Sequence, residues 1–526
     1  MTINWTKWNN DIIEKSHGKV YFFRDLYEGE HSKIFTRAQD LIRKGEIIDN
    51  IVEGARKAQN VQTPYITANI SKLIPEIPAM LVSRSIGSIN STQENEEKAN
   101  QETEDEIDNP ESADIIDPQQ QMIEQIEKNS TLQFEHWSNI VQQQVDGGLV
   151  GVPWKDEVGI RIDFKQRDVY FPHEDGLGAD LAYEREFDEE KFLHIYRERV
   201  EDGDLIASNI LYMLEAGDRL EEVDEEWAKE LLGMDELETV YNGRTRPFIM
   251  YWPNEKTFTN PLGVSCLKGQ EGKQDEINWT LTRNAITFER NGKPRLAVSK
   301  EIFQALQDKA HERYGDESKI DHRDLEITTL DENGNAMEVI QIDITKIGDI
   351  QWIKDLMKMM FVETKTSEKA VDFYMDEGGR AAQTGVAKFY DLFISIVKAE
   401  QLQGEYIYFL QQLFESCLWL ANEDDRSIIV EEPEITIKSM IPISRKELIE
   451  ENNKGYVDGA QSLETTVRRN NPHASDDWIQ EEVTRIEEEK AADDTASLVG
   501  GRSSLMSFMD NRDSSGNPIE DDPDEQ

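Results

Sequence analysis

The chain has 526 residues, and its 107 acidic residues outnumber its 57 basic residues to give a formal net charge of −50. A protein that wraps nucleic acid over an open surface is normally basic, because its affinity comes from neutralising phosphates. The composition argues against that binding mode. It leaves room for a DNA contact confined to a small region, and for acidic walls that repel a duplex.

Cysteine content and hydropathy further narrow the classes of protein that fit this sequence. The two cysteines, Cys266 and Cys417, are far apart and form no CxxC motif, which excludes a disulfide framework or a zinc cluster and predicts a reducing compartment. We expect no signal peptide, because the residues after Met1 lack a charged start followed by an apolar run. No apolar run approaches the length of about 18 residues that a membrane span needs, so we expect no membrane contact.

The first third of the chain predicts helices interrupted by an acidic stretch. Residues 1–87 have helical spacing, and the prolines of Leu73–Pro78 are expected to end or kink a helix. Residues 94–128 hold thirteen acidic residues against two lysines. We interpret most of this stretch as a solvated insertion, disordered or loosely helical, because few apolar side chains are present to fold on.

Residues 150–260 are predicted to be rich in β-strands. Phe192–Val200 and Leu205–Leu214 have strand-like composition and flank Asp202-Gly203, a dipeptide that favours a tight hairpin turn. A short helix over Trp227–Leu232 and an apolar strand over Phe248–Trp252 follow.

From residue 265 the pattern becomes mainly helical. The elements predicted there are a polar helix (about 267–289), a small mixed module (295–344), a helix from about 349, a glycine-rich connector (375–385), a long helix (389–420), a last module with a strand at 435–437 and two helices (428–490), and an acidic tail (491–526).

Motifs for catalysis are incomplete. Gly269–Lys273 is too short for a P-loop, and Gly263–Leu267 lacks the second glycine of a nucleophile elbow. The many adjacent carboxylates are interpreted as a solvated face. We therefore expect no enzymatic activity, no catalytic residue, no cofactor and no metal site, while an unrecognised hydrolase remains an alternative.

Two groups of residues are candidates for binding. Basic residues surround the first polar helix and the module after it: Lys268, Lys273, Arg283, Arg290, Lys293 and Arg295. They either pair with nearby acids such as Glu271, Asp275, Glu276 and Glu289, or form a docking surface for an acidic partner or DNA. The glycine-rich connector is either a plain link between helices or a mobile element that faces a ligand or channel.

Several ordered sequence blocks resemble the portal proteins of tailed double-stranded DNA bacteriophages. The blocks are Leu26–His31, Trp252–Asn254, Asn260–Ser265, Gln274–Asn278, Asn291–Arg295, Thr366–Ala370, Thr384–Ala387, Leu463–Val467, Asn471–Pro472 and Trp478–Glu482. They cover roughly residues 20–490. The acidic stretch 94–128 and the tail lie outside the resemblance.

The resemblance implies a mostly helical, multi-domain α+β portal fold that assembles into a ring, usually of twelve subunits, around a DNA tunnel. The implied domains are a wing (1–264), a stem helix (265–290), a clip (291–348), a second stem helix (349–374), a tunnel loop (375–388), a long wing helix (389–430), a crown (431–490) and a disordered tail (491–526). The tunnel-loop residues expected to face DNA are Asp376, Glu377, Gly378, Gly379, Arg380, Gln383 and Thr384.

The resemblance also implies partners and a location. The ring would occupy one vertex of the capsid in the virion, after synthesis in the host cytoplasm. It would bind the terminase, the major capsid protein, scaffold protein and a head-completion (connector) protein, and would pass double-stranded DNA during packaging and ejection. ATP hydrolysis would belong to the terminase. A monomeric acidic scaffold or assembly chaperone is the other alternative.

Overall fold

The computed structural model describes residues 17–44, 47–48, 63–92, 118–156, 158–187, 189–215, 219–291, 295–298, 300–315, 337–340, 350–367, 385–441, 445–471, 474–475 and 478–488. The α+β class is confirmed. Helix predominates over strand, with 53% against 22%, so the expectation of a mostly helical chain is confirmed as well. The chain forms two compact units, one of residues 1–379 with 390–440 and one of residues 380–389 with 441–526.

Eleven helices lie wholly or mainly in the described part of the first unit. They are α1 (Val20–Glu28), α2 (His31–Ile34), α3 (Thr36–Arg43), α4 (Leu73–Ser85), α5 (Pro118–Asn129), α6 (Leu132–Asp146), α7 (Glu225–Leu232), α8 (Glu271–Asn291), α9 (Lys300–Tyr314), α10 (Ile350–Glu363) and α11 (Gly385–Asp424).

The strands also lie in the first unit. They are β1 (Ile47–Ile48), β2 (Thr63–Pro64), β3 (Ile86–Asn90), β4 (Gly148–Lys155), β5 (Ile160–Gln166), β6 (Tyr170–Pro172), β7 (Gly178–Phe187), β8 (Glu190–Glu201), β9 (Asp204–Glu215), β10 (Arg219–Glu222), β11 (Glu238–Tyr241), β12 (Met250–Pro253), β13 (Arg295–Val298), β14 (Met337–Ile340) and β15 (Glu434–Ile437).

The largest sheet is antiparallel, in the order β10-β9-β8-β7-β6, with β11 also paired to β9. Its β8–β9 hairpin confirms the turn prediction, because Asp202 and Gly203 both have positive φ (51° and 96°), the backbone of a tight primed turn. One face buries Phe171, Leu193 and Ile195 in an apolar cluster. A second sheet, β12-β4-β5, supplies Val150 and Val152 to a neighbouring cluster with Ile249.

The long helix α11 forms the centre of the first unit. The predicted helix is confirmed, and its 40 residues correspond to about 60 Å at 1.5 Å per residue. Leu410, Leu413, Phe414 and Cys417 are fully buried. The helix begins at Gly385, so residues 385–388, which were expected in the tunnel loop, are its first turn.

Two predictions for the first unit are tested in part. The prolines of Leu73–Pro78 do not end a helix: α4 begins at Leu73 and contains both of them, with Pro75 in the first turn, where its missing amide would have had no partner, and Pro78 inside the helix. Of the acidic stretch 94–128, residues 94–117 lie outside the described residues, and residues 118–128 belong to α5. Ile123 and Ile126 are fully buried there, and Gln119 bonds the backbone at Ile429.

The modules predicted further along are partly described. β13 pairs with β14 in antiparallel register, so the strand predicted at Arg295–Val298 is confirmed; the other predicted hairpin strand, 325–330, lies outside the described residues. β15 pairs with β3 in the first unit instead of joining the residues after 440.

The second unit contains α12 (Arg445–Val457), α13 (Leu463–Asn470) and α14 (residues 478–488). The Ser462 hydroxyl caps α13 by accepting the Thr465 amide at 3.2 Å. Asn452 donates to Asn470 at 2.8 Å, which joins α12 to α13.

Candidate functional site

The N-terminal half of α8 is held by a ladder of buried polar side chains. Gln274, Asn278 and Thr282, spaced by four residues, lie on one face of the helix and are fully buried. They bond the extended backbone of residues 66–71: the Ala68 amide donates to Asn278 Oδ1 at 3.1 Å, and the Ile66 amide donates to Thr282 Oγ1 at 3.0 Å. Each bond gives a buried backbone amide a hydrogen-bond partner, and burying that amide without one would cost free energy. The ladder therefore fixes the register of α8 against residues 66–71.

The N-terminal half of α8 also bonds the N-terminal helices. His31 Nε2 donates to the Leu26 carbonyl at 3.0 Å, which leaves Nδ1 to accept from Asn278 Nδ2 at 2.7 Å. Gly29 ends α1 at φ 86°, a left-handed conformation that favours glycine, and this turn brings His31 inward. The sequence blocks Leu26–His31 and Gln274–Asn278 therefore meet in space.

Ion pairs join α8 to its neighbours. The Lys273 amine contacts a carboxylate oxygen of Glu363 at the end of α10 at 2.6 Å, and Arg37 contacts Glu276 at 2.8 Å. The Glu363 pKa is lowered, chiefly by its bond from Lys273. Lys273 of α8 thus pairs with an acid that is distant from it in the sequence.

The blocks Trp252–Asn254 and Asn260–Ser265 form a turn that leads into α8. Asn254 donates to the Val264 carbonyl at 2.7 Å and accepts from Gln144 at 2.8 Å. Gly263 has φ 86°, and a Cβ there would overlap the carbonyl oxygens of Asn254 and Gly147. Only glycine fits this position, since the obstructing atoms belong to the backbone.

A long open groove of about 1120 Å³ runs beside α11. One wall is a stripe of α11 side chains, and the other is formed by residues 253–257 and 264–268 with 363–365. The stripe includes Ile394, Val397 and Tyr408, which are 58%, 49% and 63% exposed. Polar and charged side chains, among them Gln401, Glu405 and Gln412, also line the groove, so the exposed apolar residues form only part of its surface. We refer to this feature as the α11 groove.

Cations surround the α11 groove. Lys256, Lys268 and Lys365 line it and are exposed, and among the described residues none of them has a carboxylate partner. The amine of Lys398 donates to the Thr364 carbonyl at 3.1 Å, and burial lowers the Lys398 pKa. Glu255, Glu363 and Glu405 line the same groove, so its lining carries charges of both signs.

Arg244 locks the β-rich part of the unit to α11. Its guanidinium donates to Glu415 and to the Ser416 hydroxyl, both at 2.8 Å, and its carbon lies 4.9 Å from the Phe248 ring centroid. Arg244 and Glu415 are both buried, with 3% and 8% of their side chains exposed. The planar guanidinium donates hydrogen bonds to a carboxylate while it lies against an aromatic ring, an arrangement that lysine cannot reproduce.

The predicted site residues are placed as follows. Lys268 lies at the α11 groove, Lys273 pairs with α10, and Arg283 is exposed about 15 Å further along α8 than Lys273. For Arg290 and Arg295 only the backbone is described, in α8 and β13. Lys293 and the predicted tunnel-loop residues 376–384 lie outside the described residues, so their roles stay predictions.

Sequence reasoning missed the α11 groove and the Arg244 lock. Apolar residues on the exposed face of α11 are the available signal for the groove, but their helical spacing alone does not distinguish them from the core positions of the same helix. Within the described ranges there is no group of three or more His, Cys, Asp or Glu that could hold a metal ion. No helix of those ranges has the length and apolar content needed to cross a membrane.

No family model matches the chain, and no curated protein matches it. Among solved structures, the chain is similar to one from the neck of an empty GTA particle computed with C6 symmetry, at 12% identity and a TM-score of 0.40, over 77% of this chain and 94% of that one. It is also similar to one from the neck of a native GTA particle computed with C12 symmetry, at 10% identity and a TM-score of 0.31, over 66% and 78% of the two chains. With TM-scores below 0.5, we base the function on the residues and contacts of the chain itself.

Proposed function

We propose that the protein is a phage portal protein and head-to-tail connector: a ring-forming subunit at one capsid vertex through which double-stranded DNA is packaged and ejected. The observation that carries the proposal is a contact at the N-terminal half of α8. There, two of the sequence blocks that resemble portal proteins, Leu26–His31 and Gln274–Asn278, meet. His31 and Asn278, 247 positions apart, form a direct 2.7 Å bond. Two residues from separate blocks that resemble the portal family therefore form one contact.

Exposed apolar side chains support assembly of several copies. On α10, Ile350 and Val362 are 63% and 70% exposed, although Ile353 and Met360 of the same helix are buried. On α11, Tyr390 and Phe393 are exposed as well. The exposed apolar side chains on these two helices support burial against further copies of the chain.

The charge supports passage of DNA without capture. Acidic walls repel phosphates and keep the energy profile along a channel shallow, whereas each neutralised phosphate would add affinity and hold the duplex in place. We assign the transient contacts to Arg380, Gln383 and Thr384 of the predicted tunnel loop, with Asp376 and Glu377 limiting adhesion. Replacing both acids with Lys is expected to slow or block packaging in a terminase-driven assay. Packaging at the normal rate would contradict this role.

Solution mass with negative-stain images tests the proposal. Rings with a central hole and a mass near twelve times the 60.6 kDa of one chain are expected. Terminase and the head-completion protein are expected to bind the module around β13 and α9, and the shell protein the outer part of the first unit. A chain that stays monomeric at high concentration, in high salt and with its shell partner would instead indicate the scaffold or enzyme alternatives.

A further inference from the structure

A cavity of about 560 Å³ is lined by the two largest sheets of the first unit. In the smaller of these sheets, β4 contributes Val152 and Trp154, and β5 contributes Arg161, Asp163 and Lys165. Val152 pairs with Asp163 and Trp154 pairs with Arg161, and paired residues of antiparallel strands share a face. The alternation of side chains along each strand therefore places all five on the face that lines the cavity. We refer to this feature as the sheet cavity.

The facing sheet supplies aromatic and polar side chains. Tyr183 of β7 pairs in register with His194 of β8, and Arg185 follows two residues after Tyr183 on the same face. The end of α7 adds the apolar side chains of Leu231 and Leu232. Apolar and aromatic residues supply most of the lining, and a volume in this range suits a small ligand. The sheet cavity therefore favours a ligand with an aromatic ring or another compact apolar group.

Both carboxylates that line the sheet cavity have cationic partners. Asp163 pairs with Arg161 at 3.2 Å and with Lys165 at 3.4 Å. Glu184 pairs with Lys191, which lies outside the lining. A cation next to each acid reduces the repulsion that the acid exerts on an anionic ligand.

Arg185 is the cation of the lining that these pairs leave over. It forms no ion pair with another residue of the described ranges, and its guanidinium carbon lies 5.8 Å from the centre of the Tyr183 ring. The charged lining residues and their ion-pair partners, including Asp156 beside Arg161, comprise four cations and three carboxylates, which gives a net charge of +1. The whole chain carries −50. The local excess of positive charge therefore favours an anionic group next to Arg185.

His194 adds a hydrogen-bond acceptor to the wall of the sheet cavity. Its Nε2 donates to Asn209 Oδ1 at 2.9 Å, which leaves Nδ1 as an acceptor. Burial lowers the pKa of His194, and the nearby charge of Arg185 acts in the same direction, so the ring is neutral. The side chain is only 4% exposed, and Nδ1 has no hydrogen-bond partner in the described ranges. A buried acceptor without a partner costs free energy, so a ligand that carries an N–H group is favoured.

We propose that the sheet cavity binds an N-acylated aromatic amino acid through its ring and its carboxylate. The ring lies among the apolar side chains, and the carboxylate pairs with Arg185. The planar guanidinium suits this group, because it can donate two parallel hydrogen bonds to one carboxylate. A free acylated amino acid and the C-terminal residue of a protein share this chemistry. The site lies within one chain, so it goes beyond the proposed function and does not depend on ring assembly.

Saturation-transfer NMR on the full-length protein tests the site, with N-acetylphenylalanine as the probe. A dissociation constant in the millimolar range or tighter is expected for a ligand of this size. N-acetylphenylalanine amide lacks the carboxylate and N-acetylalanine lacks the ring, so each should bind at least about threefold more weakly. Absence of binding up to about 20 mM, or equal affinity for the acid and its amide, would overturn the proposal.

Three variants locate the binding. Arg185→Gln is expected to weaken binding of the acid about threefold and to leave binding of the amide unchanged. Met234→Trp places a larger side chain in the lining and is expected to abolish binding. Arg199→Gln is the matched control, because Arg199 is a half-exposed arginine of β8 outside the lining, and it should bind like the native chain.

The control also defines the results that contradict the site. Full binding by Met234→Trp, or equal losses in Arg185→Gln and Arg199→Gln, would overturn the proposal. Circular dichroism and thermal melting separate loss of binding from loss of folding. If Met234→Trp does not fold, the comparison of the acid with the amide in Arg185→Gln decides alone.

A peptide identifies the source of the bound group. If a pentapeptide that ends in Phe with a free carboxylate binds more tightly than N-acetylphenylalanine, the site takes a chain terminus; if it binds more weakly, the site takes a free acid. Both results support the site. A native chain that binds the probe but forms no rings would contradict the proposed function and leave the sheet cavity assignment standing.

Discussion

The Arg244 lock gives the sharpest stability prediction. Arg244→Met keeps most of the side-chain volume but removes the donors to Glu415, to Ser416 and to the Arg246 carbonyl. Glu415 would then be left buried with a long hydrogen bond from the Ser416 hydroxyl at 3.4 Å and with Arg246, which lies 3.1 Å away and is half exposed. Breaking a buried pair costs about 3 to 5 kcal/mol, chiefly through the uncompensated charge. We expect the free energy of unfolding to fall by about 3 kcal/mol or more.

The double variant Arg244→Met/Glu415→Leu separates charge from packing. Removing both charges leaves no buried ion, so the double variant should be more stable than Arg244→Met alone, by about 2 kcal/mol. Denaturant unfolding followed by circular dichroism is suitable, because the lock holds α11, a helix of 40 residues. A cost below about 1 kcal/mol for the single variant, or a double variant less stable than the single, would refute this account of the lock.

Three further predictions concern single sites. Gly263→Ala should destabilise the protein by about 2 to 4 kcal/mol, because it adds left-handed backbone strain and the overlap of a Cβ with backbone atoms. The control Gly243→Ala has φ 77° and open space at its Cβ, so it should cost only about 1 to 2 kcal/mol. Equal melting temperatures for the two variants would contradict the overlap. Asn278→Ala should cost about 2 to 3 kcal/mol, because it leaves the Ala68 amide and Nδ1 of His31 without their partners. Arg283→Ala, on the exposed side of the same helix, should change stability by less than about 0.5 kcal/mol. Similar denaturation midpoints for the two variants would argue against the ladder. Burial lowers the pKa of His136 from 6.5 to about 4, so the native state binds fewer protons than the unfolded state between these values. Stability should therefore fall as the pH falls from 6.5 to 4, by up to about 3 kcal/mol, and His136→Gln should flatten this dependence in unfolding titrations; an unchanged slope would show that other groups are responsible.

Much of the fold could be predicted because its signals are local. The β8–β9 hairpin follows from Asp202-Gly203, whose backbone needs are met within four residues. The long helix α11 follows from apolar residues three and four apart, which meet on one face of any helix. The negative charge, read from composition alone, already argued against open nucleic-acid binding.

The candidate site could be predicted only in part. The resembling blocks marked Asn278, Gly263 and His31, but not their partners, because a hydrogen bond between distant residues leaves no periodic trace in the sequence. The basic residues around α8 were identified without their true partners, such as Glu363 for Lys273. The tunnel-loop assignment stays a prediction from the resemblance.

The sequence by itself determined the α+β class, the main helices and hairpin, and the acidic character, since these depend on composition and on neighbours a few residues away. Only the tertiary structure decided which faces are covered. Helix α5 forms in an acidic stretch because distant segments bury Ile123 and Ile126. The face of α11 that carries Tyr408 is exposed, while the face with Tyr406 is covered by α6. Which face is covered depends on how elements that are distant in the sequence pack together.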